Sequence, residues 1–251
     1  MTHGSLFAGI GGFDLGFERA GIRTVWQVEI DPYCRRVLAK HFPHARRYGD
    51  IKECCGEYDP SAANCLQFPH HHLPWVDIIS GGFPCQDISE AGRRAGIESG
   101  ERSVLWKEML RIIGELRPRF AIVENVSALL QREMGTVIGD LVGIGYDAEW
   151  DVISACSIGA PHTRERVFIV AYPEGRRRGQ CGRIEQQKDG DPQGNLPQWP
   201  DKPEPVRMAD GISNRLDRLR GLGNAIVPQI AEWIGRRIAA SGSGSAPKEG
   251  K

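Results

Sequence analysis

Short apolar runs of strand length alternate with stretches of helical period from the N-terminus to about residue 172. That alternation confines the chain to an α/β architecture with a mostly parallel sheet. Residues 4–7 read as a strand, 13–20 as a helix and 24–28 as a second strand; Asp31-Pro32 then reads as an N-cap followed by Pro at the first helical position. The run 76–80 reads as a strand, followed by a polar loop as far as Arg102. Leu105, Met109, Ile112, Ile113 and Leu116 fall at helical spacing, 120–123 follows as a strand, 127–141 as a helix, and 147–153 and 167–171 as strands. Apolar runs that do not alternate belong to strands covered on both faces, so the expected fold is a doubly wound sheet with helices on either side.

Beyond Pro173, Gly, Pro, Gln and Arg dominate to about Pro205 and no apolar period survives, which predicts a small irregular insert over 173–210 attached to a main unit over 1–172. Helical signals resume near Asn224, with Ile226, Ile230, Trp233, Ile234 and Ile238 on one face, and 241–251 reads as a disordered Gly/Ser-rich tail. With 32 basic and 32 acidic residues there is no overall basic coat, so contact with a polyanion must be local. Seven irregularly spaced cysteines and a start without a charged-then-apolar leader point to a reducing cytoplasm. No apolar run approaches the roughly 18 residues that span a bilayer.

Three sets of residues carry candidate chemistry. The first strand leads into Phe7-Ala8-Gly9-Ile10-Gly11-Gly12, a glycine-rich turn entering a helix, where the backbone can approach a ligand closely. Glu29, at the end of the next strand, stands about 20 residues on, where a carboxylate can accept from both hydroxyls of a ribose. Asp50 follows a third candidate strand and can meet an adenine amino group. Two acids at successive strand ends, without a phosphate cradle, suggest a nucleoside lacking phosphates; a tight turn with no ligand is the plain alternative. The second set is Pro84-Cys85-Gln86, which places a cysteine at the carboxyl end of a buried strand, where a nucleophile would be aimed; an inert buried thiol is the competing reading. The third is Glu124 after the run 120–123, with Arg164 and Arg166 alternating at the start of a later strand. Glu124 could instead cap a helix, and the arginines could mark a solvated edge. Cys54, Cys55, Cys65 and His70-His71-His72 match no paired-ligand spacing, so a solvated insertion is expected there and no metal.

Taken in order, the glycine-rich turn, Pro84-Cys85-Gln86, Glu124-Asn125-Val126, Arg164-Glu165-Arg166 and Gly223-Asn224-Ala225-Ile226-Val227-Pro228 resemble the ordered blocks of the DNA (cytosine-5)-methyltransferases. The resemblance implies a Rossmann-like, S-adenosylmethionine-dependent domain that the segment 211–240 returns to complete. By the same resemblance the cofactor would be held by Phe7, Gly9, Gly11, Gly12, Glu29, Ile30, Asp50, Ile51, Pro84, Leu105, Asn224 and Ile226. Cys85 would be the nucleophile, Glu124 the acid at the cytosine N3, Arg166 the contact to O2, and Arg164 a support for the cysteine region. Double-stranded DNA would be touched by Gln86, by Ser89, Arg93 and Arg94 on a mobile loop over 87–102, and by Arg176, Arg177 and Arg178 in the insert. Two departures stand out: His162 replaces the family's usual Gln, and the recognition region is short. A monomer is expected, with a restriction endonuclease as the possible partner. Two further readings stay open at this point, a transfer RNA cytosine-5 methyltransferase and a non-catalytic DNA-binding accessory protein that kept the fold.

Overall fold

The structure is a computed structural model and describes residues 1–56, 71–84, 101–175, 221 and 224–242. Its strands are β1 (Thr2–Leu6), β2 (Arg23–Val28), β3 (Arg46–Tyr48), β4 (Cys54–Cys55), β5 (His71–His72), β6 (Ile78–Gly81), β7 (Phe120–Val126), β8 (Tyr146–Ser154) and β9 (Glu165–Pro173). Its helices are α1 (Gly12–Arg19), α2 (Pro32–His41), α3 (Glu101–Leu116), α4 (Leu129–Arg132), α5 (Met134–Gly143) and α6 (Pro228–Gly242). Seven strands form one sheet in the order β3-β2-β1-β6-β7-β9-β8. The first five pair in parallel, and β9 runs antiparallel to both its neighbours.

Successive side chains of a strand point to opposite faces, and here both faces are buried. Ile79, Ala121, Val123 and Ile169 pack with Trp106, Met109 and Ile112 of α3 and Val137 and Leu141 of α5. Ile78, Phe120, Ile122 and Phe168 pack on the other face with Phe13 and Phe17 of α1 and Ile230, Ile234 and Ile238 of α6. Two-sided burial is why the strands read as continuous apolar runs. The result is the doubly wound α/β domain expected from the sequence. The Asp31 N-cap is also present: its Oδ1 accepts the backbone N–H groups of Tyr33 at 2.7 Å and Cys34 at 3.2 Å, with Pro32 opening α2.

Several bounds differ for identifiable reasons. β7 continues three residues past the apolar run because β9 goes on pairing with it, Glu124 opposite Phe168 and Val126 opposite Arg166. The helix expected over 127–141 is two pieces, broken at Glu133, whose φ of −133° and ψ of 0° are not helical. Helix does resume near Asn224, since Gly221 and Asn224 are helical, but it is interrupted over 225–227, so Ile226 lies outside the last helix, which opens at Pro228, where a missing N–H costs nothing. The solvated insertion expected around the cysteine and histidine cluster is only partly so. Cys54 and Cys55 are buried and pair as a short parallel ladder with the exposed His71 and His72. Burial pushes the Cys54 thiol up to about 12, which keeps it protonated. Cys65 and His70 lie outside the described residues, as do most of the 87–102 loop, nearly all of the 173–210 insert and the tail from 243. Among the described residues no helix is long and apolar enough to cross a membrane.

α6 closes against α1 at a glycine. A Cβ on Gly16 would stand 2.3 Å from the Pro228 carbonyl oxygen and 2.5 Å from the Ala231 Cβ, distances that backbone cannot relieve locally. In an ordinary exposed helix, Gly to Ala stabilises by roughly 0.5–1 kcal/mol. Here overpacking should reverse the sign, and Gly16→Ala is expected to destabilise by roughly 1–3 kcal/mol. Urea denaturation of the variant checks it; a midpoint at or above that of the parent would show that the two helices are not locked as described.

Candidate active site

A cavity of about 340 Å³ opens across the carboxyl ends of the parallel strands, where the loops after β3, β2, β1, β6 and β7 converge. That is where open α/β sheets bind ligands. Phe7, Gly9, Glu29, Ile30, Asp50 and Ile51 line it from the β1–β3 half of the sheet. Pro84, Leu105, Glu124, Arg164, Arg166 and Asn224 line it from the other side. Twelve residues singled out in the sequence thus meet in one space. Gly11, Gly12 and Ile226 do not line it. Gly11 packs its Cα on Phe42 and Leu38, and Gly12 lies under the Ile226 carbonyl, where a Cβ would approach to 2.5 Å. His162 is exposed and away from the cavity. Cys85, Gln86, Ser89, Arg93, Arg94, Arg176, Arg177 and Arg178 lie outside the described residues; Cys85 is the covalent neighbour of Pro84, which lines the cavity.

The β1–β3 side of the cavity is built from a left-handed turn. Phe7, Gly9 and Gly11 have φ of 52°, 56° and 91°. For Phe7, with a Cβ, that conformation costs on the order of 1–3 kcal/mol and marks a segment held by its surroundings. The Gly9 N–H donates to Glu29 Oε2 at 2.7 Å and the Asp31 N–H to Glu29 Oε1 at 2.8 Å, so one carboxylate ties the turn after β1 to the loop after β2. Burial raises the Glu29 pKa, and these backbone donors oppose the rise. The Ile30 N–H opposes it too, and since a carboxylate has about four acceptor positions, about one remains for a ligand hydroxyl. Asp50 Oδ1 accepts the Lys52 N–H at 3.0 Å. Among the described lining residues, the basic side chains are Arg164 and Arg166, both on the far side. Acids beside apolar side chains on this side could accept from ligand hydroxyls and face a positively charged group.

The other side gathers an acid and two guanidinium groups. Glu124 is buried, 8 % exposed, with its Oε1 3.1 Å from Arg166 Nε. Burial pushes its pKa up from 4.5 to about 7, against the downward pull of Arg166 and Arg164. A carboxyl poised near 7 can hold or release a proton at neutral pH. It caps no helix: the next helix, α4, has Ala128 at its N-cap. Arg164 Nη2 donates to the Ala225 carbonyl at 2.7 Å, tying the segment next to Asn224 to this wall.

Gly82, Phe83 and Asn125 also line the cavity and were not singled out individually in the sequence. Gly82 leaves room for the acid, since a Cβ there would stand 2.6 Å from Glu124 Oε2. Asn125, buried at 3 % exposure, donates from Nδ2 to the Phe83 carbonyl at 3.2 Å and accepts the Val126 N–H on Oδ1 at 2.8 Å. A polar amide directly after the acid that ends an apolar run was the available signal for Asn125; for Gly82 the neighbouring Gly81 masked it.

Comparison with known proteins gives a consistent picture. Residues 1–207 match the family described as C-5 cytosine-specific DNA methylase. The chain is 31% identical over 236 residues to the type II methyltransferase M.NgoFVII of Neisseria gonorrhoeae, covering 88% of this chain and 60% of that protein. It is 34% identical over 175 residues to the type II methyltransferase M2.BsuMI of Bacillus subtilis, covering 66% and 41%. The chain therefore spans about half the length of the curated relatives it matches. Among solved structures, an E. coli prophage protein described as a DNA modification methyltransferase superposes with a TM-score of 0.52 at 26% identity, covering 69% of this chain and 47% of that one. The S. pombe Dnmt2 methyltransferase shares the fold, with a TM-score of 0.53 at 17% identity over 71% of this chain and 52% of that one.

Proposed function

Because the chain belongs to the C-5 cytosine-specific DNA methylase family, we propose that it methylates carbon 5 of cytosine in double-stranded DNA, using S-adenosylmethionine. The observation that carries this reading is the buried Glu124 beside Arg166, in the same cavity as Glu29 and Asp50 and next to the segment leading into Cys85. Glu29 and Asp50 would hold the ribose and adenine, with Phe7, Ile30, Ile51 and Leu105 forming the apolar walls. When bound, the sulfonium cofactor supplies an electrophilic methyl group.

Carbon 5 of cytosine is a weak nucleophile, and the residues on the far side of the cavity supply what it lacks. The Cys85 thiolate adds to carbon 6, and the electron pair of the 5,6 double bond moves into the ring. Glu124 donates its proton to N3 and Arg166 faces O2, so the negative charge is neutralised where it develops. Carbon 5 takes the methyl group, which leaves a neutral thioether behind; the carbon 5 proton then goes to solvent base, the thiolate is expelled as the 5,6 double bond re-forms, and the N3 proton returns to Glu124. A recessed cavity at the carboxyl ends of the strands accepts a base only outside the stack, so the target cytosine is flipped out, at an unstacking cost of a few kcal/mol. The short 173–210 region, with Arg176, Arg177 and Arg178, supplies phosphate contacts and target recognition. The type II designation of the relatives supports a paired restriction endonuclease as partner.

Incubation with labelled S-adenosylmethionine and either duplex DNA or transfer RNA tests the proposal. Label is expected in DNA at cytosine carbon 5, with bisulfite sequencing giving the site. Label in transfer RNA alone would replace the DNA substrate, and label in neither would remove the enzymatic reading.

A further inference from the structure

Two consecutive residues of β7 hold the segment that enters Cys85. The Glu124 carboxyl sits over the Gly82 Cα, at the spacing where any side chain on Gly82 would collide with it. One residue on, the buried Asn125 amide grips the Phe83 carbonyl at 3.2 Å. The grip matters because Phe83 is joined to a proline. Its carbonyl belongs to the peptide bond to Pro84, which is planar, and the Pro ring fixes the next φ near −65°. One soft torsion, the ψ of Pro84, then separates the held peptide from the amide of Cys85. Asn125 is itself fixed, because its Oδ1 accepts the Val126 N–H at 2.8 Å and so sets which way its Nδ2 points.

We infer that Asn125 is a positioning residue that anchors the Phe83 carbonyl, and with it the peptide leading into the proposed nucleophile Cys85, with Gly82 supplying the clearance for Glu124. The inference rests on the cytosine methylation reading. Asn125 touches neither substrate nor cofactor in this role. Its contribution is to a distance between two reacting groups, where a misplacement near 1 Å costs about a hundredfold in rate.

The test is the formation of a covalent complex with duplex DNA carrying 5-fluorocytosine at the target, followed in a single turnover with S-adenosylmethionine present. Asn125→Asp keeps the shape and the acceptor to Val126 and, as a carboxylate, loses the donor to Phe83 at the cost of a buried charge, while Asn125→Ala loses the donor without that charge, so the two variants together isolate the donor. Both variants are expected to form the complex about 10- to 100-fold more slowly, with full final amplitude, unchanged cofactor Kd and unchanged KM for DNA. A parental rate in Asn125→Asp overturns the inference while leaving the methylation reading intact. A reduced amplitude at parental rate also overturns it, because that is the signature of a structural role. If the parent protein itself forms no complex, the methylation reading fails. Iodoacetamide labelling of Cys85 then judges the anchor: a severalfold change in rate between parent and Asn125→Asp at equal Tm supports it, and equal rates overturn it.

Discussion

Replacing Cys85 by alanine is expected to abolish methyl transfer to duplex DNA, with a fall on the order of 10⁶-fold, the scale seen when a covalent nucleophile is deleted. The reason is that, among the described residues lining the Glu124 side of the cavity, none carries a thiol or other nucleophile that could add to carbon 6. Glu124, Arg164 and Arg166 stabilise charge only after it has been pushed into the ring, and none of them can push it there. Cofactor affinity should stay at the parental value. The wall that would hold it comes from the loops after β1, β2 and β3, where Glu29 takes its backbone donors from Gly9 and Asp31. Filter-bound label measures the first effect and equilibrium dialysis the second. Loss of both together would mean that Cys85 supports the fold, not the chemistry.

Glu124→Gln carries the next largest effect. An amide can donate a hydrogen bond to N3 but cannot deliver a proton, so kcat/KM is expected to fall about 10²- to 10⁴-fold. The pH profile should change as well. Burial holds Glu124 near 7, so the protonated form is lost as pH rises through that value, giving an alkaline limb in the parent that the Gln variant lacks. The same shift fixes the sign for stability. A carboxyl whose folded pKa is raised from 4.5 to about 7 contributes stability that is full below pH 4.5 and lost as pH climbs to 7. At 1.36 kcal/mol per unit the loss is up to about 3 kcal/mol. Asp14, fully buried and pushed to about 6, adds a slope of the same sign; His3, fully buried and lowered to about 3, contributes stability that is lost as pH falls from 6.5 toward 3. Both remain in the variant, so the difference between parent and Glu124→Gln, measured by urea midpoints at pH 5 and pH 8, isolates Glu124. A parental pH slope in the variant would contradict the buried, proton-holding carboxyl.

The sheet was legible because burial on both faces writes each strand as an apolar run, and the strand count and helix placement follow from that. Direction was not legible. Nothing in residues 165–173 distinguishes an antiparallel β9 from a parallel one, since the apolar pattern is the same either way. Strand length failed at Glu124 for a related reason: hydrogen bonding to β9 carries β7 through polar residues that end its apolar run. At the site, the acids and arginines could be found because charge at a strand end is unusual. The glycine-rich turn was harder, because glycine serves ligand approach and helix packing alike. Gly9 faces the cavity, while Gly11 and Gly12 make room for Phe42 and Ile226. Asn125 was least visible, since its partner is a backbone carbonyl that any residue would offer.

The central claim is a temporary bond between the Cys85 sulfur and a pyrimidine ring. It is tested most directly by incubating the protein with S-adenosylmethionine and a duplex bearing 5-fluorocytosine, then digesting and mapping the adduct by mass spectrometry. Fluorine blocks loss of the carbon 5 substituent, so the adduct should accumulate, with the methylated base attached to the peptide at Cys85. An intact chain with every cysteine unmodified, recovered from DNA that the unsubstituted reaction does methylate, would contradict the account.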